Sequence, residues 1–135
     1  MTFSSLDELG DGYGFRKIRR ALGVTAFGVN ALVIPPRKEA VHHYHDVQDE
    51  LYFVHRGRAR FRVGDEEREL GPGGLVHVES TTPRLVANVG DDDLVLLVVG
   101  GKDGYIGRDG QLVDPADLPK RQAISRGDFS VGSGS

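Results

Sequence analysis

The chain has 135 residues, a formal charge of −3 and no cysteine. That length fits one domain with a usable core, and the missing thiols exclude disulfides and thiolate metal sites, in keeping with a reducing cytosol. No basic stripe points to nucleic acid, and the longest apolar run, Leu94 to Val99, has six residues, far short of a membrane helix.

The opening Met1-Thr2-Phe3-Ser4-Ser5 lacks the basic and apolar regions of a signal peptide, so a soluble cytoplasmic protein is expected. Residues 1–14 read as an N-terminal extension. Within it Leu6 to Leu9, behind Ser5 as N-cap, makes one helical turn. Phe15 to Arg20 and Val24 to Ile34 read as strands, with Leu22-Gly23 near the turn. Pro35-Pro36 ends the second, because proline cannot donate to a ladder. Ala40 to His45 is the next strand, Asp46 to Asp49 a polar turn, and Glu50 to Arg56 a strand broken at Gly57.

Arg58 to Val63 alternates cleanly. Ala59, Phe61 and Val63 share one face, and Arg58, Arg60 and Arg62 share the other, the pattern of a half-buried strand. Gly64-Asp65 turns the chain into a returning strand, where Glu67 and Glu69 can pair with those arginines. Gly71 to Gly74 turns it again. Leu75 to Glu79 and Arg84 to Val89 are strands around the loop Ser80 to Pro83, and Gly90 to Asp93 is a solvated turn. Leu94 to Val99 is apolar on both faces and belongs in a central, covered position. Tyr105 to Asp114 suggests a small hairpin around Asp109-Gly110. Residues 15–101 thus read as one β-barrel, 102–120 as an extension packing on the barrel or on a partner, and 121–135 as a flexible tail. Short strands joined by tight turns imply an all-β sandwich or jelly-roll barrel. The Gly71 to Gly74 run lies between strands rather than ahead of a helix, so no nucleotide cofactor is expected.

His43-Tyr44-His45 places two imidazoles on one face of a strand, and Glu50 rejoins them after the turn. Two imidazoles and a carboxylate suit a divalent transition metal such as iron, manganese, zinc or nickel, with open positions for substrate. His42 and His55 have the opposite parity. His77 is an alternative ligand if it points inward. Tyr52 and Val54 share parity with Glu50 and line the interior, where the Tyr52 hydroxyl can orient a substrate.

These residues resemble the first motif of the cupin superfamily. His-x-His is followed by Glu after a gap of four residues and by Gly57 after six more. Arg37 stands where the family usually has a leading glycine. The second motif is less complete. Gly73 opens it and Asn88 fits, but Glu79 replaces the usual proline, Thr81 the usual glycine, and Arg84 the usual histidine. The resemblance covers roughly residues 30 to 100. It implies a cupin double-stranded β-helix, a homodimer, and a small-molecule pocket in a family of oxygenases, isomerases, epimerases and lyases.

The arginine at 84 cannot ligate a cation, since a guanidinium offers only donors. Two readings follow. In one, His43, His45 and Glu50 hold a metal while Arg84 grips an anionic substrate. In the other, Glu50 and Arg84 pair across a metal-free polar pocket, and the protein is a non-catalytic binding or sensor domain. Asn88, on the same strand face as Arg84, assists it at a substrate or in pairing, or satisfies a buried backbone group.

Overall fold

A computed structural model describes residues 1–133. Ten strands form two five-stranded antiparallel sheets. In chain order they are β1 (Gly14–Arg16), β2 (Gly28–Ile34), β3 (His43–His45), β4 (Asp49–Arg56), β5 (Ala59–Val63), β6 (Glu66–Leu70), β7 (Leu75–Val78), β8 (Arg84–Asn88), β9 (Leu94–Gly101) and β10 (Gly110–Leu112). One sheet runs β1-β2-β9-β4-β7 and the other β10-β3-β8-β5-β6. This is the expected all-β jelly roll, in which the inner faces of the two sheets supply one shared core.

The alternation in sequence decides what each strand buries. On β5, Ala59 and Phe61 point into the core while Arg60 and Arg62 face water. β9 lies between β2 and β4, which explains its continuous apolar run. Its Leu94 and Leu96 meet Ile34, Leu32 and Val54 in register, and all five are buried. On the outer face, Arg58 pairs with Glu69 at 3.2 Å and Arg60 with Glu67 at 3.4 Å. Since Ala59 lies opposite Leu70 and Arg60 opposite Glu69 in the ladder, both pairs are diagonal. Both are exposed, and such pairs contribute roughly 0–1 kcal/mol.

Two motif positions have a backbone explanation. Gly57 has φ 88°, and a Cβ there would meet the Asp93 carbonyl oxygen at 2.6 Å. Arg37, in place of the family's leading glycine, sits at φ 64° in the left-handed region, with its guanidinium 2.7 Å from Asp91.

Several boundaries differ from the sequence reading. The strand expected over 15–20 stops at Arg16, and Ile18–Leu22 forms a short helix, α1. Ile18 and Leu22 are one helical turn apart and both half-buried, and Gly23 at φ 71° closes the helix with its N–H on the Arg19 carbonyl. Ser5 caps nothing with its side chain, because the early turn is a 3-10 helix over Asp7–Leu9. The hairpin expected around Asp109-Gly110 does not form. Instead β10 joins β3, with Gly110 opposite His45 and Leu112 opposite His43.

The sequence suggests a flexible tail beyond residue 120. The structure instead has a second helix, α2 (Leu118–Ser125), which Pro119 helps start in its first turn. Ile124 and Phe129 are members of the core cluster, so apolar burial holds this segment down. The final Gly134-Ser135 lies outside the described residues.

Candidate metal centre

The turn after β3 carries the chain from one sheet to the other. His43 and His45 therefore come from the second sheet and Glu50 from the first, facing each other across the interior. One ligand atom from each of the three lies within 4.8 Å of the others. Nε2 of His45 is 3.2 Å from Glu50 Oε1, and Nε2 of His43 is 4.0 Å from the same oxygen. The two imidazole rings meet edge to face, with centroids 5.1 Å apart.

The far side of each ring fixes its tautomer. His43 Nδ1 is 2.9 Å from the Val41 carbonyl, which can only accept, so Nδ1 carries the proton. His45 Nδ1 is 2.8 Å from Asp109 Oδ1 and donates to it. Both Nε2 atoms thus turn toward Glu50. His45 Nε2 is buried and, although close to Glu50, lacks hydrogen-bond geometry with any partner among the described residues. An unpartnered buried imidazole nitrogen, a second ring held the same way and a carboxylate oxygen make a donor set that suits a divalent transition metal.

The two rings differ in their readiness to give up a proton. Burial, only partly opposed by the Val41 carbonyl and Glu50, lowers His43 to about 4, which leaves it neutral. Burial alone would also lower His45, but the Glu50 carboxylate and then Asp109 raise it above the ordinary value. Burial pushes Glu50 up, yet His45 and the Tyr52 hydroxyl outweigh it and hold the carboxyl below its usual range. Asp109 is driven well below the carboxylate range despite desolvation. It accepts from the Gln48 side chain at 2.6 Å, from the Gln48 and Val47 backbone N–H groups at 2.9 and 2.8 Å, and from His45.

The Arg84 side chain makes the pair with Glu50 that one of the two alternatives describes. It is 1% exposed. Its Nη1 donates to Glu50 Oε1 at 2.9 Å, Nη2 to the Glu79 and Ser80 carbonyls, and Nε to the Thr82 carbonyl. Four of its five N–H groups are thereby engaged, which leaves no fork to grip an anion. Tyr52 is buried and donates to the same Glu50 oxygen at 2.7 Å; burial and then Glu50 raise its hydroxyl well above the ordinary value. Asn88 takes the second of its two expected roles and satisfies buried backbone groups. Its amide donates to Ile34 and Asp92 and accepts from Gly90. His77 lies opposite Leu51 on the exposed face of its sheet, away from the cluster. His55 is exposed and His42 is not in the cluster, as their parity implied.

The cluster sits at the base of a cavity of about 700 Å³. Its wall includes Tyr52, Phe61, Val86 and Arg84 from the barrel, and Ile124 from α2. Asp109 is the residue that sequence reading missed. An Asp-Gly pair signals a turn, and nothing local reports that this carboxylate reaches an imidazole 64 residues away.

Comparison with known proteins agrees with this geometry. Residues 31–100 match the family model described as Cupin domain. A solved protein from Thermus thermophilus, TT1209, shares the fold with a TM-score of 0.66 and 24% identity over 78% of this chain and 100% of that one. A DMSP lyase, DddQ from Ruegeria pomeroyi, is 26% identical with a TM-score of 0.59, covering 67% of this chain and 44% of that one. A sugar phosphate isomerase from Silicibacter pomeroyi is 27% identical with a TM-score of 0.61, covering 72% and 64%. An uncharacterised protein of Methanocaldococcus jannaschii, MJ1618, is 25% identical over 65 residues, and the chain spans about half of that relative, 52% of its length. The chain belongs to the cupin family.

Proposed function

With cupin membership as the premise, we propose that this protein holds a divalent transition metal, whether iron, manganese, zinc or nickel, through His43, His45 and Glu50. A small anionic molecule then binds in the cavity above it. The observation that carries the reading is the pair of Nε2 atoms aimed at Glu50, one of them buried and without hydrogen-bond geometry to any group among the described residues. When bound, such a metal supplies a Lewis acid that polarises a substrate oxygen. The chain's own residues do the rest. Asp109 and the Val41 carbonyl hold the rings in the ligating tautomer, and Tyr52 and Arg84 fix the carboxylate. Metal-dependent isomerase or lyase chemistry is supported by the names of two similar proteins, the sugar phosphate isomerase and the DMSP lyase; oxygenase chemistry uses the same ligand set. We place the protein in the cytoplasm as a homodimer. Among the described residues no helix is long and apolar enough to cross a membrane.

One observation favours a second reading. Arg84 and Tyr52 already saturate Glu50 Oε1, so a metal-free binding or sensor domain is chemically self-consistent. Elemental analysis of protein purified without chelator separates the two. A stoichiometric transition metal that His43→Ala abolishes and His77→Ala leaves in place supports the metal centre. Protein that stays metal-free on titration with iron, manganese, zinc and nickel refutes it.

A further inference from the structure

The cavity is more basic than its base requires. Its charged lining comprises Lys17, Arg19, Arg20, Arg108 and Arg121 as well as Arg84, against only two carboxylates, Glu50 and Asp109. Both carboxylates are occupied, Glu50 by Arg84 and Tyr52, and Asp109 by His45, Gln48 and Val47. Of the outer cations, Arg19 has its guanidinium 4.0 Å over the Tyr105 ring. That contact orients the guanidinium and leaves its N–H groups unspent. Among the described residues, Lys17, Arg20, Arg108 and Arg121 have no acidic partner, although the chain as a whole carries a formal charge of −3. An acidic protein that gathers unneutralised cations at one opening concentrates positive potential there.

We infer that the cavity mouth is an oxyanion subsite in which Arg19 and Arg20 of α1 and Arg121 of α2 hold the phosphoryl or carboxyl group of the ligand. Arginine suits this task because its planar fork pairs two N–H groups with two oxygens. The buried Arg84 is saturated and takes no part. The subsite deepens the proposed function by naming where the substrate's anion sits. Its position on different elements from the metal ligands lets the two be tested apart.

The test is titration of chelator-treated protein with inorganic phosphate, and separately with acetate, following the arginine Nε–H resonances by NMR. Saturable shifts in Arg19, Arg20 and Arg121 are expected. The Arg20→Gln/Arg121→Gln protein should bind at least tenfold more weakly while retaining its metal stoichiometry, and Arg60→Gln, on the outer sheet face away from the cavity, should bind phosphate as the parent does. Tighter phosphate than acetate assigns a phosphoryl group, and the reverse a carboxyl group. Absence of saturation by either anion, affinity undiminished in the double arginine variant, or an equal loss in Arg60→Gln each overturns the subsite. Failure of the metal centre alone leaves the phosphate result intact.

Discussion

Replacing Arg84 by methionine isolates what the buried pair contributes. The substitution keeps an unbranched side chain but strands the Glu50 carboxylate, whose side chain is 10% exposed. Breaking a buried pair from one side costs about 3–5 kcal/mol. Protonation of Glu50 caps that penalty. Relative to an unfolded carboxyl near 4.3, taking up a proton at pH 7 costs about 3.7 kcal/mol. The Glu79, Ser80 and Thr82 carbonyls also lose their donor. Because these belong to a partly exposed loop that water can reach, we add only about 1 kcal/mol. The expected loss is therefore about 4 kcal/mol, a large share of a domain stability of roughly 5–15 kcal/mol. In urea, with a slope near 2 kcal/mol/M, the midpoint should fall by about 2 M with the slope unchanged. The sign of the pH effect follows from the stranded acid. Its folded pKa is raised, so its penalty is full above both pKa values and shrinks as pH falls toward the unfolded one. The deficit should thus be smaller at pH 5 than at pH 7, and adding Glu50→Gln should recover part of it. All measurements are made with chelator present. A loss below about 1 kcal/mol, or one that Glu50→Gln leaves untouched, would refute the reasoning.

Other outcomes are expected on the same grounds. Asp109→Ala frees the His45 ring and should weaken metal binding about 10–100-fold in a metal titration, with Asp109→Asn recovering part because its amide oxygen still accepts from Nδ1. In the metal-free protein the His45 pKa is raised, so a metal must displace its proton. Affinity should rise by up to about tenfold per pH unit through and above the ordinary histidine range near 6.5, and calorimetry in two buffers of different ionisation enthalpy should detect about one released proton. A pH-independent affinity between pH 6 and 8 would contradict that assignment. His43, lowered to about 4, adds nothing in this window. Gly57→Ala places a methyl 2.6 Å from the Asp93 oxygen at φ 88° and should cost roughly 2 kcal/mol or more in urea denaturation. Gly107→Ala, which meets nothing within 4 Å, should stay within about 0.5 kcal/mol of the parent.

Much of the barrel was legible because its strands obey a period of two. Ala59 and Phe61 against Arg60 and Arg62, and the doubly apolar Leu94 to Val99, report their surroundings in the order of their residues. The candidate metal-binding cluster was legible for the same reason, since parity alone puts His43 and His45 on one face and leaves His42 and His55 on the other. The short helices were not. Five residues of α1 hold barely more than one turn, too few for a 3.6-residue period to outweigh a strand-like composition. Nor did the chain beyond Pro115 advertise its packing, because Ile124 and Phe129 are buried by contact with distant strands.

The sequence by itself determined the all-β class, the alternating faces, and which side chains share a surface, because these follow from local backbone geometry. Only the tertiary structure decided that Arg84 closes on Glu50, that Asp109 stands behind His45, and that cations of α1 and α2 line the same cavity as that cluster. Those are contacts between segments far apart in the chain. Their energies depend on distance and burial, which no short stretch of residues encodes.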